Sequence, residues 1–293
     1  MKDQHKYLGK WYKMARPDGW DFYTGKTINY REALLSGEPV SPPQPNVAKG
    51  LCSNGVLHAS RTAEQCFIGA EIPCSLFVVE GEPAIPFDGQ KAGFTSGRYS
   101  LRVVKELDPA THFKWRYNDV VSPLHPLALP LRIPTKADLT LLSKWASVWA
   151  SVRDSMRDSV WASVRDSVWD SMGAIVWDSV WDSVWASMGA SVRDSVWDSV
   201  WASMRASVGD SMGASVWDSV WDSVGASMGA YVGWIFAPVV PKWKCATYRK
   251  GTYPLMASVK LWQRGLVPSF DGTEWRLHSG PKGEIVWQGK VTA

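Results

Sequence analysis

Cysteine and histidine are scarce in this chain, four and five in 293 residues, and their placing excludes several chemistries. Cys52, Cys66, Cys74 and Cys245 lie 14, 8 and 171 residues apart with no Cys-x-x-Cys, which argues against a zinc ribbon or a redox dithiol, so free, buried thiols are expected. His5, His58, His112, His125 and His278 offer no pair at helical spacing, so no metal site and no cofactor is expected. Phosphate-cradling glycine loops, Gly-x-Ser-x-Gly and His-Glu-x-x-His are missing too. No apolar run approaches the roughly 18 residues of a membrane span, and the opening Met-Lys-Asp-Gln-His-Lys has no apolar leader core, so the expected location is the cytoplasm.

What the chain has in excess is one tetrapeptide. Residues 143–230 are Ser-(Val/Met)-(Trp/Arg/Gly)-(Asp/Ala) written twenty-two times. The first slot departs from Ser only at Ile175, and the second from Val or Met only at Lys144. The third is Trp eleven times, Gly six and Arg five, and the fourth divides evenly between Asp and Ala. Two nearly fixed slots read as an interior and two variable slots as a surface. Residues 171–190 recur at 211–230 with 18 of 20 identical, which reads as recent expansion of a short repeat.

The period discriminates between architectures. At about 100° per residue, a four-residue repeat drifts about 40° per unit around a helix, so a long helix would keep no fixed apolar face. Propensity points the same way: 21 Ser, 15 Val and six Gly place a helix here roughly 24 kcal/mol above an alanine reference. A β-solenoid accommodates the spacing, with Val inward once per side and Ser or Asp at corners. Met156, Met172, Met188 and Met204 recur every 16 residues, which suits a four-sided coil of four tetrads. The expected fold is therefore a central solenoid at 136–236, between an α+β domain at 1–135 and a small α+β domain at 237–293. A long α-helix is the alternative for the array.

Outside the array, Pro17-Asp18-Gly19 reads as a tight turn, residues 75–80 and 99–106 as strands, and 60–69 as a short helix. Residues 122–134, rich in proline, read as a stiff linker, and Lys136 to Trp145 as an amphipathic helix capping the first coil. Tyr231 to Phe236 breaks the tetrad as a lid for the last coil. Tyr253 to Arg264 reads as a helix stopped by Gly265, and 273–278 with 284–288 as a hairpin, with Trp262, Trp275 and Trp287 as a small core.

The array carries eleven Asp against five Arg and Lys144, so of the net +4 the flanks hold about +9. Carboxylates among the Trp would repel phosphates, so nucleic acid is not an expected partner, and no membrane contact is expected. If the third slot faces outward, its rings form an apolar patch far larger than a soluble monomer tolerates. Trp161, Trp177, Trp181, Trp197, Trp201, Trp217 and Trp221 with Arg193 are then the candidate binding residues. They would serve self-association or a protein partner.

Cys52-Ser-Asn-Gly-Val-Leu-His58-Ala-Ser60, followed by a helix holding Ala63 and Phe67, resembles over about fifteen residues the strand-to-helix segment of ADP-ribosyltransferases, where a Gly-x-aromatic-x-Ser strand flanks the nicotinamide pocket. That resemblance implies a nucleotide-directed enzyme or effector with His58 as the candidate catalytic residue and the array as spacer. The inward aliphatic residue per side makes the array analogous to pentapeptide-repeat solenoids. The layout as a whole resembles uncharacterised bacteriophage and prophage proteins that join a Cys-x-x-Gly-x-Leu-His segment to Ser-Val-Trp-Asp arrays. Together these readings favour a non-enzymatic repeat scaffold, with the enzyme reading as the alternative.

Overall fold

The structure, a computed structural model, describes residues 9–51, 53–155, 160–186, 190–204, 210–243 and 249–291. They fall into two compact units, 1–114 and 115–293, so the array and the C-terminal segment share one unit and the proline-rich segment belongs to it.

In the first unit, β1 (Gly9–Ala15), β3 (Ser75–Gly81) and β5 (Arg102–Leu107) form an antiparallel sheet with β3 in the centre. A second ladder pairs β2 (Leu57–Ala59) with β4 (Ala92–Phe94), the latter inside what the sequence presents as a loop. The expected strand at 75–80 is β3, and of the one expected at 99–106 the strand begins at Arg102, residues 97–99 forming a 3-10 turn; the two strands are neighbours. The core gathers Trp11, Phe77, Val79, Phe94, Leu101 and Val103. Trp11 meets Phe94 edge-on at 5.4 Å and donates its indole N–H to the Gly81 carbonyl, so the largest core ring leaves no orphaned donor.

Helix α1 (Tyr30–Ser36) starts because the Asn29 side chain accepts from the N–H groups of Arg31 and Glu32, and ends at Gly37 with φ 72°. Arg31 reaches across to Glu106 on β5 and donates to Ser75 on β3, tying the helix to the sheet. At the β2–β4 ladder Gly93 faces His58. A Cβ there would lie 2.8 Å from Val56, so the close approach requires glycine.

The second unit overturns the solenoid. The described residues of the array are helical: α4 (Lys136–Ser155), α5 (Val160–Met172), α6 (Ala174–Val184), α7 (Ala190–Met204) and α8 (Asp210–Phe236), preceded by short α2 (Pro109–His112) in the first unit and α3 (Tyr117–Val121) in this one. The drift argument holds for a long helix and fails for short ones. Over three or four tetrads the Val row moves only about 80–120°, the width of an ordinary amphipathic face. The chain then breaks and restarts, as at Gly173, φ 89°, between α5 and α6. Two of the methionines close helices, α5 at Met172 and α7 at Met204. Low propensity is overridden by burial. Val164, Val168, Val176, Val180, Val184, Val192, Val196 and Val200 are all buried, so the second slot does face inward. Serines fit by donating to the carbonyl one turn back, as Ser171 does to Ser167 and Ser183 to Ser179.

Helix α8 is the centre of this unit and packs against α5, α7, α9 (Met256–Gln263) and β6 (Val267–Phe270). Surrounded in this way, it needs no single apolar face, and Val220, Val224, Met228, Tyr231, Val232, Ile235 and Phe236 are all buried. The Tyr231 to Phe236 segment is thus the end of α8 rather than a lid on a coil. The Lys136 to Trp145 segment is likewise the first half of α4 rather than a separate cap. Its start is a capping box: Asp138 accepts from the Thr135 N–H at 2.8 Å and hydroxyl at 2.7 Å, and also from Arg132 and Arg264 at 2.9 and 2.6 Å.

The expected C-terminal helix and hairpin form as α9, ended by Gly265 at φ 72°, and as β7 (Trp275–Ser279) with β8 (Glu284–Gly289), to which β6 adds a third strand. Small array residues let this sheet approach: Gly283 stands where a Cβ would lie 2.9 Å from the Ser195 carbonyl, and Ser199 donates to the Lys282 carbonyl. Among the described residues no helix is long and apolar enough to cross a membrane.

Candidate functional site

In the first unit, β1, the 21–28 loop with Tyr30 at the start of α1, β2 and the 66–70 segment line a cavity of about 280 Å³. Its wall is mostly apolar, with Met14, Phe22, Ile28, Val56, Leu57, Ile68 and Ala70 among the lining residues, and Lys13, Asp21, Tyr30, His58 and Cys66 supply the titratable groups. β1 contributes Lys13 and Met14 to this lining. Tyr30 is the first residue of α1, held by the Asn29 cap, and His58 is the middle residue of β2.

Each polar group has a distinct electrostatic state. Lys13, with burial and Lys91 adding to its effect, pushes the His58 imidazole down to about 2, so the ring is neutral at any ordinary pH. Burial pushes the Cys66 thiol up to about 11, and the thiol donates to the Tyr12 carbonyl at 3.2 Å. It is a packed thiol rather than a nucleophile, and Cys74 is buried too. Burial works to raise Asp21, yet hydrogen bonds from Thr24, Ile28 and Thr27 hold it below its ordinary value. Its two oxygens accept five such bonds in all, knitting the 21–28 loop. Tyr30 is fully buried, burial and Asp21 raise its phenol above the ordinary value, and its hydroxyl has no hydrogen-bond partner. Such an orphan costs about 1–3 kcal/mol.

His58, singled out from the sequence, therefore does line a cavity. Its charged neighbours are lysines rather than a carboxylate that would make it a general base. The arrangement is suited to holding a molecule rather than to proton transfer. Lys13 and Tyr30 carry no sequence motif and were not singled out. The one local signal is Asn29 as a cap, which fixes Tyr30 in the first helical turn. Among the described residues no cluster of three or more His, Cys, Asp or Glu could hold a metal ion.

The array residues divide. The side chains of Trp161, Trp201 and Trp217 lie outside the described residues, as does the residue Cys52. Trp177 is 1% exposed, packed on Phe236. It begins a ladder along α6 in which Trp177, Trp181 and Trp185 stack at 5.7 and 5.8 Å with planes 17° and 24° apart. Trp181, Trp197 and Trp221 are half-buried. The Arg193 guanidinium stacks over Trp185 and Trp221, and burial lowers its pKa to about 10 against the pull of Asp194 and Asp222. Trp181, Trp185, Arg193 and Trp221 border a second cavity of about 240 Å³. A uniform outward column of rings is not what the third slot makes. Burial varies from tetrad to tetrad with the neighbours each ring meets.

Comparison of the chain with protein families, with curated proteins and with solved structures gave no match.

Proposed function

We propose that the first unit is a binding module for a small, mostly apolar molecule, held in the cavity lined by β1, the 21–28 loop, β2 and the 66–70 segment. The observation that carries this reading is the cavity itself: about 280 Å³ with a mostly apolar wall and Lys13 and His58 among its lining residues. Ligand sites have this composition, an apolar enclosure with a few polar groups that orient the guest. The neutral His58 and the packed Cys66 favour binding over covalent chemistry. The test is titration of the full chain with indole, a small neutral ring, followed by thermal shift. Indole should raise the melting temperature of the wild type and not that of Ala70→Trp, which places a large ring in the lining. Equal response of both proteins would refute the reading.

A second reading concerns the array, as a scaffold that docks a protein partner or a second copy. It draws support from Trp169, 37% exposed, and from the half-buried Trp and Arg193 around the second cavity. Sedimentation of the wild type against Trp169→Arg and Trp197→Arg tests it. Arg is native to that slot, so loss of association without loss of helix supports the scaffold, and a monomer in every case counts against self-association.

A further inference from the structure

We infer that the guest of the first-unit cavity is a small neutral molecule, an apolar ring bearing one hydroxyl or comparable group that hydrogen-bonds to His58. This rests on the cavity reading and names its ligand class.

Size comes first. A water occupies about 30 Å³ of liquid, so 280 Å³ holds roughly nine such volumes, room for one ring with a short substituent. The lining decides the charge. Among the described residues Lys13 and Asp21 are its charged members, so their charges cancel and an ionic guest meets no net counter-charge. Neither is left unserved. Asp21 accepts five hydrogen bonds from Thr24, Thr27 and Ile28, and Lys13 is engaged within the chain, its ammonium 5.7 Å from the centre of the Tyr30 ring. An ion set against Ile28, Val56, Leu57 and Ile68 would lose its hydration with no opposite charge to replace it. Smaller polar groups of the lining are also taken: the Ser53 hydroxyl donates to the Gly50 carbonyl, and the Asn54 carboxamide bonds Gln44 and Lys49. His58 differs. It lines the cavity from β2 and is half-buried. No described residue hydrogen-bonds to its ring, and its nitrogens are not sealed off as the Tyr30 hydroxyl is. A neutral imidazole offers one N–H donor and one acceptor nitrogen, and a hydroxyl, itself donor and acceptor, can use either.

Isothermal titration of the full chain with benzyl alcohol, ethylbenzene, benzylammonium and benzoate separates charge and hydrogen bonding from shape, since the four share one ring and differ at its substituent. The alcohol should bind the wild type at least tenfold tighter than either ion, a comparison that needs no variant. The ratio of alcohol to ethylbenzene affinity should be about fivefold higher in the wild type than in His58→Leu, the fold-change that one neutral hydrogen bond provides. His58→Gln, which keeps a donor and an acceptor, should retain most of that ratio, and His58→Phe replaces the Leu variant if the latter does not fold. Either ion binding as tightly as the alcohol, or a ratio that His58→Leu or His58→Phe leaves unchanged, would overturn the inference and leave the cavity reading standing on the indole test. Stabilisation by indole with binding of none of the four would do the same. Failure of indole as well would overturn both.

Discussion

Trp169 and Trp177 occupy the same slot of the same repeat, eight residues apart, and should respond very differently to truncation. Trp177 is 1% exposed, stacked on Trp181 at 5.7 Å and packed on Phe236 at 6.3 Å. Trp169 is 37% exposed, with the Arg165 guanidinium over its ring at 4.6 Å. A buried Trp covers about 150–250 Å², and at about 25 cal/mol per Å² the transfer part alone is roughly 4–6 kcal/mol as an upper bound. Replacement of a buried Trp by Ala generally costs about 3–5 kcal/mol. Trp177→Ala should therefore destabilise the helical unit by about 4 kcal/mol. Trp169→Ala should cost about 1 kcal/mol or less, since much of its area is already in water and an exposed cation-ring contact contributes only about 0.5–1 kcal/mol. Denaturant unfolding of the full chain, followed by helical circular dichroism, measures both. Similar losses would show that slot identity, not the neighbours each ring meets, sets the cost, and the account of the repeat as short packed helices would fail.

The remaining predictions concern the other determinants. Asp138→Asn should cost about 3 kcal/mol at neutral pH, because it removes the buried carboxylate that pairs with Arg132 and Arg264. Hydrogen bonds and arginines hold that carboxyl below its ordinary 3.8, so its contribution is present above 3.8 and is lost as pH falls from there; the wild type should be more acid-sensitive than the variant in a stability-versus-pH series. His278, buried between Ser269 and the Gly283 carbonyl, is pushed by that burial from 6.5 down to about 4. The unfolded chain therefore binds the proton first, and the wild type should lose roughly 3 kcal/mol between pH 6.5 and 4, a slope that His278→Gln flattens. Gly283→Ala should lower the melting temperature, since φ is 61° and the new Cβ would press on the Ser195 carbonyl.

Local signals carried much of the fold. Strands within 75–80, 99–106, 273–278 and 284–288, the helix before Gly265 and the inward Val slot all follow from alternation, capping and periodicity, though β5 begins only at Arg102 and β7 at Trp275. The solenoid failed for a reason internal to the argument. A drift of about 40° per tetrad forbids a long amphipathic helix, but Gly173 shows the chain resetting before the drift matters. Trp177 and Trp169 were indistinguishable in the sequence because their difference lies in which neighbour each meets. The cavity was legible only as far as His58. Tyr30 and Lys13 join it through the pairing of elements distant in sequence, and no spacing announces that.

The most direct test of the binding reading is a crystal structure of the full chain soaked with indole. The account predicts the ring in the cavity bounded by Tyr30, His58, Val56 and Ile28. A cavity filled by the protein's own side chains, or indole bound only elsewhere, would contradict it.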